Sequence, residues 1–165
     1  MRLDLVWRDR PTRREHHPLA METPRQFLDF VVEGQSLFDV VRRRYDFIGC
    51  LGWLDAEYDE EAAAALMLDK AGEFEGRVGL YICPECADAN CGAVTAVIER
   101  DDDGIIWRDL AATYPNFTIE GEPEPESSWN LDRDAFGDLK PMRFPKAAYR
   151  TAIENRPPPL PDTST

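Results

Sequence analysis

The sequence has no apolar run approaching the roughly 20 consecutive residues that a helix needs to cross a bilayer. Its first residues, MRLDLVWRDRPTRREHHP, also lack the apolar core and the small-residue cleavage site of a secretory signal. We therefore expect a cytoplasmic protein that does not enter a membrane. Thiols in that compartment are normally kept reduced, so clustered cysteines there indicate metal or redox chemistry before structural disulfides.

Positive charge is scarce in this chain. It carries 19 lysines and arginines against 32 aspartates and glutamates, which gives a formal net charge of −13. Such a field repels phosphate backbones, so we do not expect nucleic-acid binding. The charge suits a basic protein partner or a cationic ligand, although an acidic surface that only keeps the chain in solution explains the same composition.

Histidine is also scarce, since His16 and His17 are the only two in the chain. Adjacent side chains rarely point at the same atom, and the arginines around them lower the affinity of an imidazole for protons. We therefore predict exposed loop residues. The sequence has no G-x-S-x-G, Walker or dinucleotide-binding motif, and its carboxylates are too numerous to single out a catalytic pair.

A length of 165 residues and an apolar fraction of 43% predict one globular domain with its own core. Hydrophobic periodicity predicts an α+β fold of mostly antiparallel sheet with about three helices packed against it. The predicted strands outside the central region span 3–7, 27–32 and 47–54, and the predicted helices begin at Ser36, span 59–72 and span 144–155.

The best-defined unit is a three-stranded meander over residues 77–110. Its strands, 77–83, 92–100 and 105–110, alternate apolar and other residues and are joined by short polar turns. We predict a single domain over 1–155 with an acidic excursion near 113–138. Residues 156–165 are predicted to form a disordered proline-rich tail, because each proline lacks an amide donor and cannot continue a helix.

Three of the four cysteines lie in YICPECADANCGA, the connection between the first two strands of the meander. Cys83 and Cys86 are separated by two residues, which is the spacing of a zinc knuckle, and Cys91 follows after four more. Zinc asks for four ligands. The fourth would have to be a water or one of the candidates Cys50, His16, His17, Asp88 and Glu85.

Two other interpretations of these cysteines stay open. In a redox protein, Cys83 would attack as a thiolate and Cys86 would resolve the mixed disulfide. Neighbouring Glu85 and Asp88 argue against that role, since carboxylates raise the pKa of a thiol. In the simplest interpretation the cysteines pack in the hairpin or link Cys83 to Cys91, and Cys50 is a core residue.

Residues 76–110, with their C-P-x-C-x4-C-G loop and the strand containing Trp107, resemble the middle of a family of small bacterial proteins. These share a strand, a cysteine loop, a second strand and a tryptophan-bearing strand. The resemblance extends to FLDFVVEGQSLFDVV and RFPKAAYRTAI, and the alanine, arginine and aspartate content is similar to that of proteins from GC-rich actinobacteria. It implies a fold and carries no catalytic residue with it.

Two classes of function follow. The first is an acidic protein that acts by protein–protein binding, in an immunity-like or accessory role, with a structural cysteine loop. The alternative is a metal- or thiol-dependent redox protein or enzyme that uses Cys83, Cys86 and Cys91. The sequence leaves the oligomeric state open.

Overall fold

The computed structural model describes residues 1–11, 22–122, 124–125 and 129–160, and these form an α+β fold. They contain one three-stranded and one six-stranded antiparallel sheet and three α-helices, which confirms the predicted α+β fold of mostly antiparallel sheet with about three helices. The adjacent His16 and His17, which we predicted as exposed, lie outside the described residues. No helix in the described ranges is long and apolar enough to cross a membrane.

The smaller sheet is built from strands near the N-terminus. Its three strands, in spatial order, are β1 (Leu3–Asp9), β2 (Gln26–Val32) and β3 (Gln35–Ser36). Glu33 and Gly34 make the turn between β2 and β3, with φ of 49° and 78°. Two successive positive φ angles are what a two-residue hairpin turn needs, and glycine at the second position adopts one without steric cost.

The larger sheet contains the predicted meander. Its strands are β4 (Ile48–Gly49), β5 (Val78–Ile82), β6 (Ala93–Arg100), β7 (Gly104–Tyr114), β8 (Asn130–Asp132) and β9 (Met142–Pro145). The strands β4 to β8 follow one another in the sheet, and β9 pairs with the first half of β7 while β8 pairs with its end. The stretch 113–138 therefore includes β8, and it also contains a short 3-10 helix, Asp134–Phe136.

The helices are α1 (Phe38–Val41), α2 (Ala56–Leu66) and α3 (Lys146–Glu154). The prediction for α3 is confirmed, with Pro145 at its N-cap. Helix α2 begins three residues before the predicted 59–72. It also ends earlier than predicted, because Leu68 has a φ of +59° and cannot continue the helix. Helix α1 is a single turn, because the exposed residues 42–44 offer no apolar stripe to bury.

The segment predicted as a buried strand over 47–54 is buried from 47 to 52, but only Ile48–Gly49 is regular strand. At Gly52 φ is +98°, and an added Cβ would lie 2.9 Å from the Trp7 ring, so this position requires glycine. The Leu28 amide donates to the Leu51 carbonyl at 2.9 Å and joins the two sheets at this point.

The core centres on the fully buried ring of Trp107 in β7. Phe30 of β2, Phe144 of β9 and Tyr149 of α3 pack edge-on around it, with centroid distances of 5.4, 5.2 and 6.1 Å. Trp107 Nε1 donates to the Tyr149 hydroxyl, which donates to the carbonyl of Leu66 at 2.6 Å. One aromatic cluster thus joins both sheets to α2 and α3, and the cysteine loop lies outside it, at one end of the paired strands β5 and β6.

Candidate metal centre

The cysteine loop covers residues 83–92 and connects β5 to β6. The two strands are antiparallel neighbours, and Ile82 lies opposite Ala93 in their register. Cys83 directly follows the first strand and Cys91 comes two residues before the second, so the hairpin itself brings these two cysteines to the same end of the sheet.

The sulfurs of Cys83, Cys86 and Cys91 lie within 4.8 Å of one another. The closest pair, Cys86 Sγ and Cys91 Sγ, is 3.2 Å apart, and all three thiols are free. Cys86 and Cys91 are exposed, whereas Cys83 is half-buried. The three cysteines that the sequence predicted as metal ligands therefore form a cluster that could hold a metal ion.

Backbone hydrogen bonds and two positions with positive φ set the path of the cysteine loop. The Ala87 amide donates to the Cys83 carbonyl at 3.0 Å, and Ala87 has a φ of 58°. The Asp88 carboxylate accepts from the Asn90 amide at 2.9 Å and caps a short 3-10 helix, Ala89–Cys91. Gly92 has a φ of +88°, and a Cβ there would lie 2.9 Å from the Tyr114 ring. Glycine is therefore required at the point where the loop re-enters the sheet.

The thiols differ in acidity. Partial burial raises the pKa of the Cys83 thiol, but the backbone N–H groups of Cys86 and Glu85 donate to its sulfur and lower the pKa below its usual value. The hydrogen bond with Cys86, together with burial, raises the pKa of Cys91 to about 12. Glu85 and Asp88 therefore do not make a Cys83 thiolate scarce, contrary to the prediction from the sequence, because amides of the loop itself favour the thiolate.

The loop is fixed from outside through Glu85, whose carboxylate accepts hydrogen bonds from Arg10 and Thr23, and we call these three residues the Glu85 clamp. Arg10 Nη1 donates to Glu85 Oε1 at 2.5 Å, and the Thr23 amide and hydroxyl donate to the two Glu85 oxygens at 2.8 and 2.6 Å. Burial would raise the pKa of Glu85, but these hydrogen bonds outweigh it and lower the pKa to about 2. The carboxylate is therefore ionised, and both of its oxygens are engaged.

Arg10 is itself held in place. Its side chain is 4% exposed, and its Nη2 forms an ion pair with Asp46 at 2.8 Å. Next to it, Arg25 Nε donates to the Pro84 carbonyl at 3.0 Å. Residues directly after β1 and directly before β2 thus support the cysteine loop. The sequence did not predict these contacts, because the residues that form them are 59 to 75 positions apart along the chain. Local sequence patterns carry no information about pairs so far apart.

The candidates for a fourth metal ligand that lie among the described residues each have another structural role. Glu85 is engaged in the clamp, and Asp88 caps the short helix. Cys50 is a core residue, as one interpretation of the sequence held; it is 3% exposed, and burial raises its pKa to about 12. Among the described residues, no carboxylate or further thiol joins the cluster of three sulfurs. His16 and His17 lie outside the described residues.

In comparisons with known proteins, no family model, no curated protein and no solved structure matches this chain.

Proposed function

We propose that this chain is a small acidic binding protein whose cysteine loop is a structural zinc site formed by Cys83, Cys86 and Cys91. The observation that carries the proposal is the convergence of the three sulfurs within 4.8 Å on a loop fixed from outside. A zinc tetrahedron with sulfur at 2.3 Å separates its ligand atoms by about 3.8 Å. The 3.2 Å between Cys86 and Cys91 is close to that spacing, so only small shifts would admit the ion.

A structural role is supported by the way the loop is built. The Glu85 clamp and the Gly92 turn hold the backbone, which pre-arranges the sulfurs and opposes the movement that a catalytic cycle would need. The binding role is supported by the net charge of −13, which attracts a basic partner and increases its rate of association.

The fourth ligand is a separate question. With Glu85 and Asp88 engaged elsewhere and Cys50 in the core, the candidates that stay predictions are His16, His17 and a water molecule. A histidine would close the site, as structural zinc sites require, whereas a water would leave an exchangeable position.

Cobalt(II) replaces zinc in thiolate sites and reports its ligands by absorption, so it provides the test. Titration of metal-free protein should produce thiolate-to-cobalt charge-transfer bands that saturate at one ion per chain. Serine at position 83, 86 or 91 should weaken those bands, while the matched variant Cys50→Ala should keep them. A change in the visible ligand-field bands in His16→Ala or His17→Ala would identify the fourth ligand. Absence of saturable charge-transfer absorption would overturn the zinc site.

A second candidate function is thiol–disulfide exchange, which is favoured by the lowered pKa of Cys83 and by its sulfur lying within 4.8 Å of that of Cys86. The Cys83 thiolate would attack a disulfide substrate and release its first thiol, and Cys86 would then attack the mixed disulfide and release the second, so that the substrate becomes two thiols while Cys83 and Cys86 form one S–S bond. Incubation with oxidised glutathione distinguishes the two functions. Rapid oxidation of protein carrying its native metal supports exchange, whereas oxidation only after chelation supports the zinc site.

A further inference from the structure

A groove of about 1790 Å³ runs alongside the cysteine loop. Its lining comes from α2 and the residues before it, from the cysteine loop, from β5 and from residues 158–160. Small-molecule sites occupy about 300–1,000 Å³. The size of the groove therefore favours a polypeptide segment over a metabolite.

The groove presents apolar side chains to solvent. Tyr58 is 57% exposed and Leu160 is 43% exposed, and the half-buried Trp53 also lines the groove. Aromatic side chains in a concave surface are the usual anchoring points of protein interfaces. The exposed Phe117 and Ile119 do not line this groove.

Acidic groups outnumber basic ones in the lining. The acidic residues are Asp9, Asp55, Glu61, Glu73, Glu85 and Asp88, and the basic residues are Arg10, Arg25 and Lys70. Each base already has a partner. Arg10 contacts Glu85, Lys70 lies 3.1 Å from Glu61, and Arg25 donates to the Pro84 carbonyl and lies 4.9 Å above the Trp53 ring. Six acidic and three basic residues leave an excess of three negative charges, so an incoming cation would meet a negative surface.

We infer that this groove is the docking site for a basic polypeptide segment in which lysine or arginine residues are interspersed with apolar anchors. Its apolar side chains would contact Trp53 and Tyr58, and its cations would lie near Asp9 and Asp55. The match of charge and the size of the groove select this occupant over an acidic peptide, a nucleic acid or a small apolar molecule.

The inference rests on the proposed function, and it adds a role for the metal. Residues 86–89 of the cysteine loop line the groove, so an ion bound by the three sulfurs would stiffen one side of it. If residues 86–89 are already rigid before the peptide binds, docking costs less conformational entropy.

The test uses a fluorescein-labelled eight-residue probe of alternating lysine and leucine, with a glutamate–leucine probe as its counterpart, and measures anisotropy with the full chain. The lysine probe should bind, and its affinity should fall as salt is raised from 50 to 200 mM. Tyr58→Ala should weaken binding about tenfold, while Phe117→Ala, a matched aromatic that is 54% exposed outside the groove, should not. Asp9→Asn with Asp55→Asn should weaken it more than Asp102→Asn with Asp103→Asn.

The outcomes separate the two proposals. If the groove variants and their controls lose the same amount of affinity for a lysine probe that still binds, the groove is not the docking site. The proposal of a basic partner would then stand. Failure of the lysine probe to bind would overturn both the groove and the binding function, whatever the metal content. Preference for the glutamate–leucine probe would overturn the choice of a basic occupant. Binding that survives full removal of metal would overturn only the stiffening role of the ion.

Discussion

Arg10 Nη1 donates a 2.5 Å hydrogen bond to Glu85 Oε1, and so joins two residues 75 positions apart in the sequence. One lies immediately after β1, and the other lies between the first two cysteines of the loop. Through this contact the smaller sheet fixes the loop that extends from the larger one. The position of the three sulfurs is therefore a property of the whole fold and not of the loop alone.

Replacement of Glu85 by glutamine tests this support. Glutamine keeps the shape of the side chain but loses the charge that accepts from Arg10 and Thr23, so the free energy of unfolding should fall by about 2 kcal/mol. Urea denaturation at pH 7 gives the value. Glu99→Gln is the matched control, because Glu99 pairs with Arg108 at the surface and should contribute little. Equal effects of the two substitutions would show that the clamp does not stabilise the loop.

Replacement of Cys86 or Cys91 by serine tests the metal through stability. Both side chains are exposed, so loss of packing alone should change stability by no more than about 0.5 kcal/mol. If zinc is bound and present at about 100 times its Kd, it adds about 2.7 kcal/mol, and its loss should lower Tm by about 5–11 °C. Differential scanning calorimetry measures the shift.

A chelator provides the control for the cysteine variants. It should lower the Tm of the unsubstituted protein to that of Cys86→Ser and leave the variant unchanged. A Tm that is the same within about 1 °C for Cys83→Ser, Cys91→Ser and the unsubstituted chain would count against any stabilising role of the loop, with metal or without it.

The ion pair between Arg156 and Asp59 tests how the residues after α3 are held. The Nε–Oδ2 distance is 2.9 Å, and the two side chains are 7% and 2% exposed. Arg156→Met leaves the Asp59 charge buried without its cation, which should cost about 3 kcal/mol in urea denaturation. Arg150→Met removes an exposed arginine from α3 and should cost much less. If both substitutions lower the free energy of unfolding by a similar amount, the buried ion pair contributes no more to stability than the exposed one.

Asp109 provides a pH-dependent prediction. Hydrogen bonds from Arg133, and then from Arg77, outweigh partial burial and hold its pKa below the ordinary value of 3.8. The resulting stabilisation is therefore present above pH 3.8 and is lost as the pH falls through the lower pKa of the folded state. Asp109→Asn should lower stability by about 1 kcal/mol at pH 7, and the difference should narrow below pH 3.8.

The asparagine variant suits this test, because Asp109 has a φ of 54° and asparagine tolerates that conformation well. Guanidinium denaturation at pH 7 and at pH 3 provides the comparison. A difference that grows as the pH is lowered would contradict the sign of the pKa shift.

The sequence was sufficient to predict the meander and the cysteine cluster because both depend on local patterns. Alternating apolar residues define β5, β6 and β7, and a hairpin must bring its two ends together, so Cys83 and Cys91 could be placed near each other in advance. The spacing of Cys83 and Cys86 then added the third sulfur.

Long-range contacts account for what the sequence did not reveal. Nothing near Glu85 shows that its oxygens are taken by Arg10 and Thr23, so it was counted as a candidate ligand. The acidity of Cys83 depends on the direction of two backbone N–H groups, which spacing does not specify. The groove depends on the packing of α2 beside the loop, and periodicity does not encode that relationship.

The most direct test of the account is the metal content of protein purified without added zinc, combined with the rate at which its thiols react with a disulfide reagent. The protein should contain one zinc per chain, and Cys83, Cys86 and Cys91 should react slowly until a chelator removes the metal. Protein that is purified without metal and whose Cys83 or Cys86 reacts rapidly with the disulfide reagent would contradict the zinc site.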